Sequence, residues 1–399
     1  MMSYTNVLLV VLFIAYTVAA LNVSEPVTRR LLGLKTASLN PDQLVATLSK
    51  EAPYIPLEFQ KWSYPHNPSS EAIFACAFST SYMAKDATFY AGTARKAGFT
   101  GDIVVTVLPN ADKNFLEKLK SYNVSVYVAS MECSGRSDVR CKLSGIPDYP
   151  VTLARYFAYQ ALALKYRPSA YIMVSDFRDV MFQSNPFKNK IADWGPSNYD
   201  LVLFNEAHPN RVINRCPQTG GFMLGCYGKD IYRKLGANTV SSSGVIFGTR
   251  DAVVVYSHLI TTQGDAQIRT QQVKSSVVAG TAPIDVPSEA GNKKCFGLGV
   301  DQTFHNYLLY SGTFHQIMRV KVFPQGEGPV NTLGGFYGDA KILRASLAEW
   351  KILRGEEPFK YVHNWNGEIS SVVHQLDRYL TTELLGGYPK HLAILQHIK

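Results

Sequence analysis

Apolar and polar positions alternate along this chain in two distinct rhythms. Short apolar runs occur at residues 73–78 (IFACAF), 103–108, 124–128, 171–174 (YIMV) and 200–204. Between them, residues 81–97, 112–121 and 150–166 place apolar side chains at the spacing of a helix face. Runs this short, bounded by polar residues, predict fully buried strands, and strands alternating with helices of 10–17 residues predict βαβ units with parallel pairing. The second half is less regular. A Cys/Gly-rich loop is expected at 211–228, a short helix at 227–235 and a strand at 240–248. Helices follow at 250–262 and 300–310, a strand at 315–322, loop and helix over 324–360, and a tail at 361–399 with two histidine-bearing segments. No internal repeat or low-complexity tract interrupts the pattern.

The amino terminus has its own signature. Residues 7–21 (VLLVVLFIAYTVAAL) are almost wholly apolar, and Val18-Ala19-Ala20 has the small-residue spacing of a signal-peptidase site. The run falls short of the roughly 20 residues that span a bilayer, and Arg29-Arg30 follow it while no Lys or Arg precedes it. Residues 1–21 are therefore read as a signal peptide, with an uncleaved signal anchor as the alternative and the only route to membrane association. Residues 22–70, rich in proline, form a stem or lead-in; 71–385 form one large domain; 386–399 form a C-terminal tail. Either reading of the leader sends the body into the secretory lumen, the Golgi or the endoplasmic reticulum, or outside the cell.

Six cysteines suit that oxidising setting. Cys133 and Cys141 flank a polar loop and Cys216 and Cys226 a Gly-rich one, so two local bridges are expected, with Cys76 and Cys295 free and buried. No Cys-x-x-Cys occurs, which leaves zinc and redox chemistry without support. Asn22-Val-Ser and Asn123-Val-Ser are glycosylation sequons, the second on a turn before a strand and usable only if exposed. The 40 Lys+Arg against 31 Asp+Glu give a net charge of +9, but the basic residues are scattered with no long run. A nucleic-acid partner is therefore not expected, and the diffuse field favours an anionic substrate.

Candidate chemistry gathers at four places. The buried run 171–174 stops at Ser175 and two carboxylates, Asp176 and Asp179, before resuming at Val180-Met181-Phe182. Ligands of open α/β sheets collect at the carboxyl ends of strands, where two carboxylates can hold a hard divalent cation and the cation a diphosphate. A solvated turn, or a local Asp176–Arg178 ion pair, is the alternative. Ser241-Ser242-Ser243-Gly244 puts hydroxyls and a glycine beside a strand, open to sugar hydroxyls or closed as a tight loop with its serines satisfied. Gly299-Val300-Asp301-Gln302 opens a helix, where Asp301 serves as an N-cap or presents its carboxylate to a cleft. His363 and His374 lie in the tail, each a structural residue or the imidazole of a two-carboxylate site suited to Mn²⁺.

Taken in order, the acidic strand end with its FQSNPF turn, SSSGVIFG and GVDQTFHN resemble the signatures of metal-dependent GT-A glycosyltransferases. The resemblance covers residues 72–380, with about 40 residues carrying it as motifs. It implies an α/β fold built on a GT-A-like Rossmann-type mixed sheet flanked by helices. Asp176 and Asp179 match the family's metal-binding motif, which holds Mn²⁺ (or Mg²⁺) against the diphosphate of a nucleoside diphosphate sugar, a UDP-sugar first. Ser242, Ser243 and Gly244 match its donor-sugar loop, and Asp301 and Gln302 the acidic/amide pair near the anomeric carbon. His374 matches the late histidine ligand, with His363 as runner-up, and Arg155 a basic position close to the donor. The pattern departs from the family's usual Asp-x-Asp, because Arg178 stands where the second carboxylate would be. Arg178 then either contacts phosphate or pairs with Asp179.

These readings imply transfer of a monosaccharide to a hydroxyl of a glycan or glycoprotein acceptor. Asp301 would act as base or support an oxocarbenium-like centre, and both stereochemical courses fit. A catalytically silent luminal relative that binds carbohydrate or nucleotide sugar is the alternative favoured by Arg178. A phosphatase of the haloacid dehalogenase type ranks below both, since its second acid would fall at Arg178.

Overall fold

The computed structural model describes residues 41–50, 55–134, 140–143, 146–188, 191–206, 211–277, 295–333, 364 and 366–375. The leader, the Asn22 sequon, His363 and the C-terminal tail lie outside the described residues. A helix, α1 (Pro41–Leu48), and a short strand, β1 (Leu57–Phe59), come from the lead-in. Then β2 (Glu71–Ala77) feeds a helix, α2, running through Ala84–Ala87, a π-turn at Thr88–Gly92, and Thr93–Lys96. Next come β3 (Asp102–Val107), α3 (Lys113–Ser121), β4 (Val124–Ala129) and a small hairpin sheet of β5 (Glu132–Ser134), β6 (Arg140–Leu143) and β7 (Ile146–Pro150). The helix α4 (Val151–Ala163) delivers the chain to β8 (Tyr171–Ser175), followed by β9 (Val180–Phe182), α5 (Ile191–Trp194) and β10 (Leu201–Asn205). The second half contributes α6 (Thr219–Leu235), β11 (Ser241–Thr249), α7 (Arg250–Val277), α8 (Val300–Tyr310) and α9 (Thr313–Ile317). It ends with β12 (Val320–Phe323), β13 (Val330–Thr332) and β14 (Val372–His374).

Eight strands form one mixed sheet in the order β1-β4-β3-β2-β8-β11-β10-β12. The first βαβ units are parallel, as their pattern requires: β2 pairs β3 and β8, and β3 pairs β4, all in the same direction. Mixing enters through β1, antiparallel to β4, and through β11, antiparallel to both β8 and β10. Alternate residues of each central strand enter opposite cores. Ile172 and Val174 join Phe74, Val104, Ile246 and the α4, α7 and α8 side chains on one face. Tyr171 and Met173 join Ile73, Val105, Phe247 and the α2 and α3 side chains on the other. A sheet buried on both faces explains why its strands read as continuous apolar runs.

Five expectations change, the first being that Val330–Thr332, expected in loop or helix, forms β13 by pairing with β14. Residues 219–226 are helical, so α6 begins well before 227; its register is interrupted only at Gly228, φ 79. The helix from residue 250 continues to Val277, because its polar continuation still packs on α4: a Cβ at Gly264 would lie 2.8 Å from Leu153 Cδ1, and Tyr149 donates to Asp265 at 2.8 Å. The strand expected at 315–322 splits into α9 and the shorter β12, since Gly312 at φ 83 starts a new turn and Phe314 is buried. Cys226 bonds to Cys295, not to Cys216. The helix between residues 219 and 226 carries Cys226 about 10 Å from the end where Cys216 sits, beyond the ~7 Å Cα limit of a disulfide. Cys216 instead stays buried with its sulfur accepting from the Thr219 N–H at 3.4 Å. The Cys133–Cys141 bridge and the unpaired Cys76 match the sequence reading. Two disulfides fit an extracellular or lumenal protein; no helix among the described residues is long and apolar enough to cross a membrane.

Candidate functional site

The carboxyl end of β8 carries the site. Its last ladder pair is Ser175 with Val245, and the Asp176 N–H then donates to the Gly244 carbonyl at 2.7 Å. Phe177 turns into the core against Tyr90 and Tyr82, ring centroids 4.8 and 5.1 Å away. This buried ring pins the turn between Asp176 and Asp179.

His374 arrives from 198 residues away through β14, which pairs antiparallel with β9 and sets His374 opposite Val180. The Gln375 N–H also donates to the Asp179 carbonyl at 2.7 Å, so the strand that carries the imidazole is tied to the backbone of the acid. Asp176, Asp179 and His374 each offer a ligand atom within 4.8 Å of the others. His374 is fully buried, Asp179 is 5% exposed, and Asp176 opens partly to solvent. His374 Nε2 lies 3.3 Å from Asp176 Oδ2, while Thr332 Oγ1 and Ser242 Oγ approach Nδ1 at 3.3 and 3.5 Å. Two carboxylates and an imidazole with its second nitrogen hydrogen-bonded form a donor set that fits a divalent cation such as Mn²⁺ or Mg²⁺.

Gly244 is what lets these groups meet. A Cβ there would sit 2.5 Å from His374 Nε2 and 2.7 Å from Asp176 Oδ2. The glycine expected to open space for a ligand in fact makes room for the site's own side chains.

A second layer faces this group across Arg155 on α4. Its guanidinium pairs with Asp176 through Nη1 and, at 2.6 Å through Nη2, with Asp301 on α8. Burial works against ionising Asp176, but the guanidinium and then His374 hold its carboxyl well below the ordinary carboxylate range. The local Asp176–Arg178 pair considered from the sequence gives way to this one. Arg178 is 59% exposed, with its guanidinium 4.0 Å from Asp179. Asp301 is not the cap of α8; that place belongs to Gly299 at φ 81. Its Oδ2 accepts from Ser243 Oγ at 2.9 Å and Tyr156 OH at 3.2 Å besides Arg155. Gln302 donates to Thr219 Oγ1 at 3.0 Å and accepts from the Ser243 N–H at 3.5 Å.

The contacts between α8 and the start of β11 run in step. Asp301 and Gln302 meet Ser243, while His305 and Asn306 meet Ser241. Asn306 Oδ1 accepts from the Ser241 N–H at 2.9 Å and its amide donates to the Ser241 carbonyl at 2.8 Å. Ser241 lies beyond the end of β8, so this side chain supplies the missing strand. Burial pushes the His305 imidazole down to about 3, so it stays neutral between Tyr256 OH at 2.8 Å and Ser241 Oγ at 2.9 Å.

The structure thus assembles Arg155, Asp176, Asp179, Ser242, Ser243, Gly244, Asp301, Gln302 and His374 in one region, with Arg178 at its exposed rim. Sequence reasoning missed Tyr156, Thr219, His305 and Asn306. The last two belong to the TFHN segment, and Asn306 lies four residues after Gln302, on the same helix face. No protein-family model matches this chain, and no curated protein matches its sequence.

Proposed function

We propose that this protein is a divalent-metal-dependent glycosyltransferase that moves a monosaccharide from a nucleoside diphosphate sugar to a glycan or glycoprotein hydroxyl. The observation that carries the reading is the Asp176–Asp179–His374 group at the carboxyl end of a central strand, faced by Asp301 on the first turn of α8. A cation held there would act as a Lewis acid on the departing diphosphate. The chain's own residues do the rest. Arg178, exposed at the rim beside Asp179, would contact phosphate oxygens. Arg155 fixes Asp176 and Asp301 relative to each other, so the metal-binding and acceptor sides keep one spacing. Asp301 is held by three donors, which suits it to stabilising positive charge on the sugar ring or orienting a hydroxyl. GT-A membership belongs to this proposal, as does residence in the Golgi or endoplasmic reticulum.

The test is nucleotide release from UDP- and GDP-sugars with a mixed glycan acceptor pool, with Mn²⁺ and then with chelator. Metal-dependent release that Asp179→Asn abolishes, with the fold unchanged by circular dichroism, supports the assignment. Full turnover in chelator would remove the metal from the mechanism. A second reading, a silent relative that binds donor without turnover, is favoured by Arg178 standing where the usual second carboxylate would be; donor binding with no release would select it.

A further inference from the structure

We propose that Asn123 carries an N-linked glycan, installed before the lead-in folds over it. The sequon Asn123-Val124-Ser125 begins between α3 and β4 and runs into the first two residues of β4. Asn123 is exposed and sits in the left-handed region at φ 54, a conformation asparagine tolerates better than most residues. The hydrogen bonds that fix it run through its backbone. Its N–H donates to the Lys120 carbonyl at 3.0 Å, and its own carbonyl accepts from Arg95 Nη2 at 2.9 Å. Such an anchored turn presents the side-chain amide outward. The two disulfides supply the independent observation, since both glycan transfer and disulfide formation belong to the secretory lumen.

Position in the sheet agrees. Asn123 precedes β4, which runs parallel to β3, β2 and β8. It therefore lies at the amino end of these strands, opposite the end where Asp176 and Asp179 stand. A glycan there covers neither the candidate site nor its approach.

Timing follows from Ser125. In the folded chain this hydroxyl is 2% exposed and donates to the Tyr64 carbonyl at 3.2 Å. The flanking backbone is covered as well: Tyr64 donates to the Val124 carbonyl at 3.2 Å, and Val126 donates to Ser63 Oγ at 3.1 Å. The half of the sequon that a transferase must engage is thus closed by residues 60–64. The reaction must precede that closure. In it, Asn123 Nδ2 forms a bond to the anomeric carbon of an oligosaccharide carried on a lipid diphosphate. The anomeric C–O bond breaks, the lipid diphosphate leaves with the electron pair, and the amide gives up one proton.

The test uses the full chain made in eukaryotic cells and mass spectrometry of the tryptic peptide 121–136 before and after treatment with the amidase that releases N-linked glycans. The expected result is a glycosylated peptide that the amidase converts to one bearing Asp at position 123, and a mobility shift lost in Asn123→Gly but kept in Asn22→Gln. Glycine accepts the positive φ, so this variant keeps the turn. A bare Asn123 overturns the proposal, whether the two disulfides are formed or reduced. In a second arm, chain folded in vitro with both disulfides and the synthetic peptide 121–136 are each given oligosaccharyltransferase and its lipid-diphosphate donor. Modification of the peptide alone supports the timing; equal modification of the folded chain overturns it.

Discussion

Replacing Gly244 by alanine puts one methyl group into the centre of the candidate metal site. The new Cβ would meet His374 Nε2 at 2.5 Å and Asp176 Oδ2 at 2.7 Å, against about 3.4 Å for ordinary contact. The ring or the strand must therefore retreat by about 0.9 Å, since van der Waals repulsion rises steeply inside that limit. Metal sites tolerate displacements of only about 0.2 Å in their ligand distances. Gly244 has no positive φ, so the alanine backbone itself is unstrained. Overpacking of this kind costs about 1–3 kcal/mol of stability, small enough to leave the chain folded. Loss of Mn²⁺ affinity should reach at least ~100-fold, or about 2.7 kcal/mol. Isothermal titration with Mn²⁺ reads the affinity, and chemical unfolding reads the stability. Wild-type Mn²⁺ affinity in Gly244→Ala would falsify the assignment of Asp176 and His374 to one cation.

Arg155→Met leaves Asp176 and Asp301 without their shared counter-charge, so a loss of about 3–5 kcal/mol in urea unfolding is expected; a change under 1 kcal/mol would show the pairs to be incidental. The His305 imidazole is held neutral down to about 3, whereas the unfolded chain takes up its proton near the ordinary 6.5. Its contribution is therefore complete above about pH 6.5 and declines as pH falls toward 3, at up to ~1.4 kcal/mol per unit. The difference in stability between wild type and His305→Gln should shrink along that slope on acidification; a constant difference contradicts the assignment. Removing the Cys226–Cys295 bridge, with its sequence separation of 69, should cost about 4 kcal/mol on loop entropy. Cys216→Ser should leave both bridges intact by non-reducing peptide mapping, and a Cys216–Cys226 linked peptide in the wild-type map would restore the sequence expectation.

The sequence by itself determined the strands of the sheet's centre and the acidic end of β8. Apart from the half-buried Cys76 and Val128, residues 73–77, 103–107, 124–128 and 171–174 are buried on both faces, and such burial is written directly into a largely apolar run. It also singled out most of the candidate site residues, because carboxylates, serines and histidine next to buried strands stand out against their neighbours. It missed the start of α6 and the split at Gly312 because glycines and short apolar pairs give no decisive period there. Tertiary structure alone decided which groups meet. The register of β14 on β9 sets His374 beside Asp179, and helix geometry sends Cys226 to Cys295. It also gave Gly244, Arg155 and Asn306 their roles. Gly244 yields its space to His374, Arg155 bridges two carboxylates on different elements, and Asn306 completes a strand that has outrun its neighbour. These relations depend on distances between residues up to 198 positions apart, and such distances are set by packing rather than by any local pattern.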